Sequence, residues 1–150
     1  MTEIHHQLYI NASCAKVFVA ISSQRGLSKW WGDTNDIRTD FGALLPFIIE
    51  DGTIQTLKII DAKLAQSLAW KCVEGSSDWL DTDILFQLNK EGLGTTVHFR
   101  HTGWKRNNEQ YACANYLWSR RLSYLKELCE TGETSSGYLE EIQQRNKTNI

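Results

Sequence analysis

The sequence has 150 residues, of which 41% are hydrophobic and 23% are charged, and this is the size and composition of one globular domain. Its net charge of −2 argues against a basic patch that binds nucleic acid or an anionic membrane, and no apolar run is long enough to span a bilayer. The N-terminus lacks a signal-peptide pattern, and the four cysteines include no Cys-x-x-Cys pair, so we expect free thiols and a cytoplasmic protein.

The first part of the chain predicts one strand and two short helices. Residues 3–10 alternate in polarity and predict a strand. Ser13 is a suitable N-cap for a helix that continues to about Ile21, because its hydroxyl can accept a hydrogen bond from the first turn. Residues 26–32 predict a second short helix, which ends at Gly32 in a left-handed cap.

An antiparallel meander is predicted from about residue 43 to residue 103. Turn signals separate five apolar or alternating segments, which are residues 43–50, 53–62, 67–74, 80–88 and 95–102. The dipeptide Asp51-Gly52 is typical of a tight hairpin turn. Alternation predicts that Val97, Phe99 and His101 share the inward face of the last strand. Residues 33–41 carry no pattern that places a strand edge.

The last predicted element is a long helix over residues 107–130. Apolar side chains recur at helical spacing and form one stripe, which includes Tyr111, Leu117, Trp118, Leu122 and Leu125. Gly132 predicts the end of this helix. Arg120 and Arg121 are expected on its solvent-facing side. Residues 133–150 predict a polar C-terminal extension, either with one short surface helix or irregular, so the domain is expected to span residues 1–132.

This order of elements predicts an α+β fold and not a parallel α/β sheet. A sheet of six or seven strands with one long helix as its only large apolar partner must curl around that helix. A curled sheet and a helix do not fit perfectly together. We therefore expect an internal cavity between the sheet and the C-terminal helix.

Three segments resemble the helix-grip superfamily of START lipid-transfer domains, birch-pollen allergens and polyketide cyclases, known as SRPBCC. They are INASCAKVFVAI at residues 10–21, LSKWWG at 27–32, and GTTVHFRHTGW at 94–104, the last followed by the long helix. The resemblance extends over residues 3–132 and is strongest to the branch of the activator of the ninety-kilodalton heat-shock chaperone's ATPase. It implies a helix-grip fold with an internal cavity and, in most members, binding or transport of a ligand without chemistry.

The candidate ligand contacts are inward-facing rings and a group of polar side chains at one end of the expected cavity. The rings are Trp30, Phe47, Trp70, Phe86, Phe99 and Trp118, and the polar residues are His101, Tyr111 and Asn115. Ordinary core packing is the alternative for each of them. For the pair Trp30 and Trp31, this alternative means that one ring plugs the end of the sheet and the other covers it, whereas the functional alternative places Trp30 at the cavity mouth as a gate. His101 either orients the polar end of a ligand, acts as a general base, or is a core imidazole satisfied by hydrogen bonds.

The function that this pattern favours is binding of an apolar or amphipathic small molecule without turnover. One alternative is a cyclase-like or hydrolase-like enzyme that uses His101 and Tyr111 as acid and base. Another is a domain that regulates a chaperone through protein contacts. No catalytic residue, metal or cofactor is assigned, because adjacent His5 and His6 face opposite sides of a strand and no ligand set is complete. The oligomeric state is expected to be a monomer or a homodimer.

The acidic residues around Trp79 form a cluster in the sequence. Asp78, Asp81 and Asp83 are interpreted as solvated carboxylates in a turn and at a strand edge, and they are assigned no role in a site.

Overall fold

The structure, a computed structural model, describes residues 2–31, 44–48 and 54–133. Six strands and three helices lie in this part of the chain. In order they are β1 (Thr2–Ile10), α1 (Cys14–Ser22), α2 (Gln24–Leu27), β2 (Leu44–Ile48), β3 (Ile54–Lys63), β4 (Ser67–Glu74), β5 (Asp83–Glu91), β6 (Gly94–Trp104) and α3 (Glu109–Thr131).

The strands form one antiparallel sheet in the order β1-β6-β5-β4-β3-β2. The sheet is curved, and the long helix α3 packs against its concave face. From β2 to β6, each strand pairs with the next strand in the sequence. β1 pairs with the free side of β6, where Ile10 lies opposite Thr95. The predicted α+β helix-grip fold is therefore confirmed, with six strands in the described residues.

Local hydrogen bonds explain where the two longer helices begin and end. The hydroxyl of Ser13 accepts a hydrogen bond from the backbone N–H of Lys16 at 3.2 Å, which satisfies a donor in the first turn of α1. The Asn108 side chain caps α3 in the same manner. At the other end, Gly132 has φ 83°, and its N–H donates to the Leu128 carbonyl at 2.8 Å. This left-handed cap was predicted from the sequence.

The second helix differs from its prediction. It covers Gln24–Leu27, and the chain then turns through Trp31. The helix starts early because the Ser23 hydroxyl accepts a hydrogen bond from the Gly26 N–H at 3.0 Å. The predicted cap at Gly32, the hairpin turn at residues 51 and 52, and residues 134–150 of the predicted extension lie outside the described residues.

The fifth strand begins three residues later than predicted, at Asp83. Residues 79–82 form a turn in which Asp81 has φ 67° and the Thr82 hydroxyl donates to the Trp79 carbonyl at 2.6 Å. A side-chain hydrogen bond to a backbone carbonyl competes with strand pairing at this point. Alternation of apolar residues alone does not reveal such a turn.

One charged residue of α3 contradicts the sequence analysis. Arg121 is fully buried, although it was expected on the solvent-facing side of the helix. Its guanidinium carbon lies 5.8 Å from the centroid of the Tyr124 ring. Since residues three and four apart share a helix face, Arg121 belongs to the same face as Trp118 and Leu125, which are also buried. The apolar stripe of α3 therefore includes one buried cationic side chain, that of Arg121.

Two further expectations concern cysteines and membranes. The four cysteines are free thiols, and burial raises the pKa of Cys72 and of Cys129 to about 11. Among the described residues, none of the helices has the length and apolar character that crossing a bilayer requires.

Candidate functional site

The space between the sheet and α3 is occupied by a group of aromatic side chains, here called the ring cluster. It contains all six tryptophans of the sequence and two phenylalanines, each at most 5% exposed. Its members are Trp30, Trp31, Trp70, Trp79, Phe86, Phe99, Trp104 and Trp118. Rings of this size contribute a large apolar area and prefer tilted or edge-to-face contacts.

Sheet and helix meet directly in the middle of the ring cluster. Phe86 on β5 and Phe99 on β6 lie opposite each other in the register, with ring centroids 5.1 Å apart. The Phe99 ring lies 4.7 Å from Trp118 on α3. Trp70 on β4 extends the layer, 5.6 Å from Phe86. Four residues predicted as ligand contacts are thus brought together, and they contact one another.

Trp31 fills the space between the outer part of the sheet and the helix. Its ring centroid lies 5.0 Å from that of Trp70 on the sheet and 5.2 Å from that of Trp118 on α3. Neither the sheet nor α3 supplies this side chain, because it comes from the turn that follows α2. The neighbouring Trp30 is held in place by a hydrogen bond that its indole N–H donates to the Ala20 carbonyl at 2.8 Å.

A chain of hydrogen bonds crosses the other end of the ring cluster. The indole N–H of Trp118 donates to Nδ1 of His101 at 3.1 Å. Nδ1 must then be an acceptor, so the proton of the neutral ring lies on Nε2, which donates to the Thr82 hydroxyl at 2.8 Å. That hydroxyl donates in turn to the Trp79 carbonyl. Every polar atom of this chain is satisfied.

The environment keeps His101 neutral. Burial lowers the pKa of His101 from its ordinary value of 6.5 to about 3. Both ring nitrogens are engaged with protein groups, and the imidazole is fully buried. A general base needs a nitrogen within reach of substrate, so this geometry favours the core-imidazole alternative over acid–base chemistry.

The other predicted polar residues do not gather around His101. The Tyr111 hydroxyl donates to the Glu3 carbonyl at 2.8 Å and thereby fastens α3 to β1. Asn115 is exposed on α3, so its expected place at the polar end of a cavity is wrong. The structure does not describe the side chain of Phe47, so its predicted ligand contact stays a prediction. Of the three polar candidates, His101 alone is enclosed by the ring cluster.

A comparison with solved structures identifies the family. The structure titled as the Aha1 dimer from Colwellia psychrerythraea matches with a TM-score of 0.77 and 30% sequence identity, over 88% of this chain and 98% of that chain. The chain belongs to the SRPBCC superfamily.

Other SRPBCC-like structures share the fold at lower identity. A Staphylococcus saprophyticus protein matches with a TM-score of 0.72 and 19% identity, over 89% of this chain and 96% of that chain. CalU16 from Micromonospora echinospora matches with a TM-score of 0.71 and 15% identity, over 97% of this chain and 84% of that chain. Searches of protein-family models and of curated proteins find no match.

Two cavities of this SRPBCC domain lie away from the ring cluster. One, of about 190 Å³, lies between α1, α2 and the C-terminal end of α3. The other, of about 560 Å³, lies at the end of the sheet, where the β3–β4 and β5–β6 turns approach the start of α1. None of the described residues that line either cavity belongs to the ring cluster.

The acidic group beside Trp79 has a structural role that the sequence analysis missed. Asp78 accepts hydrogen bonds from Arg106 at 3.0 Å and from Asn108 at 3.1 Å, and the Arg106 contact lowers the pKa of Asp78. Asp83 pairs with Lys71 at 3.0 Å. Asp78 therefore connects the β4–β5 turn to the N-cap of α3, while Asp81 is exposed.

Proposed function

We propose that this SRPBCC domain is a non-catalytic binding protein of the Aha1-like branch, which takes an apolar or amphipathic small molecule between its sheet and α3. The observation that carries the proposal is the position of the Trp31 ring between the sheet and α3. The Trp31 indole bridges Trp70 and Trp118 and is delivered by a turn, so a movement of that turn can vacate the gap without breaking a strand or α3. In this proposal Trp31 is a plug that a ligand replaces.

Trp70 provides a second argument for an occupant with a polar atom. The side chain is fully buried, and its indole N–H finds no acceptor among the described residues. A buried donor without an acceptor costs about 1–3 kcal/mol, so such groups in native proteins call for an explanation. A ligand that carries a carbonyl or ether oxygen would accept this hydrogen bond once Trp31 had moved.

The plug predicts weak binding by the native chain. A ligand that binds only the open form has its affinity reduced by the fraction of molecules that are open. Replacing Trp31 by a smaller apolar side chain removes the need for opening. The affinity for a flat apolar ligand should then rise, which is the reverse of what loss of a ligand contact would do.

The experiment uses acetylnaphthalene as a probe, with naphthalene as the analogue that lacks the acceptor oxygen. We expect Trp31→Leu to bind acetylnaphthalene at least ten times more tightly than the native chain, with NMR shift changes centred on Trp70 and Trp118. Naphthalene should bind about five times more weakly than acetylnaphthalene, since one hydrogen bond contributes about 1 kcal/mol.

Trp104→Leu is the matched control, because Trp104 is a buried tryptophan whose ring contacts among the described residues are Trp79, His101 and Tyr111, and not Trp31. It should leave the affinity unchanged. Equal affinities of the native chain and folded Trp31→Leu would contradict the plug. If that variant does not fold, native mass spectrometry of the unmodified protein from its own host decides, and protein that is consistently empty would count against binding.

A second candidate function is regulation of a chaperone ATPase by protein contact. The 30% identity to the Aha1 dimer over nearly its whole length favours it and also favours a homodimer. Sedimentation of the purified chain should give twice the monomer mass, and the chain should change the ATPase rate of its host's ninety-kilodalton heat-shock protein. A monomer without effect on that rate would remove this candidate.

A further inference from the structure

A groove on the helical side of the molecule combines an apolar floor with a basic rim. It is the cavity of about 190 Å³ between α1, α2 and the C-terminal end of α3. Leu128 and Cys129 form part of its floor and are buried, whereas Val19 of α1 is 57% exposed beside it. An exposed valine next to a concave apolar surface leaves apolar area in contact with water.

The charged side chains among the described residues that line this groove are all cationic. Three cationic side chains line it, Lys16, Arg25 and Lys29, and the ten described lining residues include no carboxylate. Lys16 and Arg25 form no ion pair with any described residue. The Lys16 charge also acts on the Cys129 thiol, where it opposes the increase in pKa that burial causes.

Glu130, a carboxylate near the C-terminal end of α3, is engaged in contacts of its own. Glu130 accepts a hydrogen bond from the Asn11 N–H at 2.8 Å and pairs with Lys126 at 2.8 Å, and these contacts lower its pKa. The Glu130 carboxylate is therefore engaged by β1 and by the preceding turn of α3, and its charge also acts on the Cys129 thiol, where it adds to the increase in pKa that burial causes. The groove keeps a positive rim over an apolar floor.

We propose that this groove binds a medium-chain carboxylate of about eight carbons, with the alkyl chain on Leu128 and Val19 and the carboxylate between Lys16 and Arg25. The volume of about 190 Å³ supports a ligand of this modest size, because pockets for drug-sized ligands begin at about 300 Å³. Charge complementarity supports the anion. The site is separate from the gap that Trp31 fills, so it goes beyond the function proposed above.

The test is titration of the full chain with sodium octanoate, followed by calorimetry and by NMR shifts at Val19 and Leu128. Hexanoate should bind about fifteenfold more weakly, because each methylene contributes about 0.8 kcal/mol, or roughly fourfold. Octanol, which lacks the charge, should bind about tenfold more weakly than octanoate. Raising the salt concentration should weaken octanoate and leave octanol unaffected.

The variants separate the groove from general charge effects. Lys16→Gln with Arg25→Gln should weaken octanoate about tenfold, whereas Lys58→Gln with Lys63→Gln, an equal charge change on exposed β3 positions, should have no effect. Val19→Glu should abolish binding. Its control is Tyr116→Glu, at another exposed apolar position of a helix, which should leave octanoate binding unchanged.

Several outcomes would overturn the proposal. They are equal octanoate affinity of the Lys16→Gln, Arg25→Gln chain, shifts that cluster away from Val19 and Leu128, or binding to phosphatidylglycerol vesicles with none to free octanoate. Trp31→Leu should bind octanoate as the native chain does. If Trp31→Leu does not bind acetylnaphthalene, that result counts against the Trp31 plug and does not bear on the proposal for the groove.

Discussion

At the scale of single residues, His101 illustrates what a sequence pattern can and cannot predict. Alternation along β6 correctly placed it inward with Val97 and Phe99. The pattern could not reveal that Thr82 and Trp118 engage both ring nitrogens, because these residues are 19 and 17 positions away in the sequence. Burial and the two hydrogen bonds favour the core-imidazole alternative over a general base.

The buried neutral imidazole predicts a pH dependence of stability. In the unfolded chain His101 takes up a proton below its ordinary pKa of 6.5, whereas in the folded chain it does so only near 3. The free energy of unfolding should therefore fall as the pH falls between these values, by up to about 1.4 kcal/mol per pH unit. Denaturant unfolding of the native chain and of His101→Gln, at several pH values from 7 to 4, measures it.

The difference between the two chains isolates His101, since Asp78 and Glu130 also have lowered pKa values and lose stabilising contacts in acid. That difference should shrink as the pH falls below 6.5. Parallel profiles of the two chains would show that His101 does not titrate as described.

Arg121 should contribute to stability far more than its neighbour. It is fully buried on the stripe that also holds Trp118 and Leu125, while Arg120 is only partly buried and lies 4.9 Å from the Tyr116 ring. Arg121→Ala should lower the free energy of unfolding by about 2–4 kcal/mol, because it removes a buried side chain. Arg120→Ala should lower it by less than about 1 kcal/mol. Similar values from chemical denaturation would contradict the buried placement.

At the scale of elements, α3 is joined to β1 by side chains spread along its length. Tyr111 reaches the Glu3 carbonyl near the start of the helix, and Lys126 reaches the Tyr9 carbonyl at 2.5 Å near its end. Apolar spacing predicted the helix itself, and Gly132 its last turn. The attachments were not predictable, because they use backbone acceptors whose positions depend on the β1–β6 register.

Removing one attachment tests this description. Tyr111→Phe keeps the ring against Trp104 and deletes only the hydroxyl, so the free energy of unfolding should fall by about 1 kcal/mol. Tyr116→Phe is the matched control on the exposed side of α3 and should change it by less than about 0.5 kcal/mol. Equal effects in thermal unfolding would show that the Tyr111 hydrogen bond does not hold α3 to β1.

At the scale of the whole molecule, the composition showed that the chain is rich in aromatic residues, but it could not predict how the aromatic rings are arranged. Alternation correctly oriented Trp70, Phe86 and Phe99, because a strand offers only two faces. A turn offers no such periodicity, so the sequence did not determine which of Trp30 and Trp31 would enter the interior, and the structure places Trp31 between Trp70 and Trp118. Residues brought in by irregular segments are the ones that decide whether an interior is open or filled.

The domain boundary predicted near residue 132 can be tested by truncation. The α3 cap at Gly132 is complete within the described residues, since its N–H bonds to the Leu128 carbonyl. A chain that ends at Glu133 should therefore fold, and its free energy of unfolding from denaturant titration should match that of the full chain within about 0.5 kcal/mol. A loss of several kcal/mol would mean that residues 134–150 belong to the domain.

The attachments of α3 have a consequence for how copies of the chain can associate. Among the described strands, β1 and β2 lie at the two edges of the sheet, and edge strands invite pairing with a foreign strand. Two carbonyls of β1 are already taken by Tyr111 and Lys126, and β2 contains Pro46, which has no amide hydrogen to donate. These features of the described strands discourage continuous sheet extension from one molecule to the next.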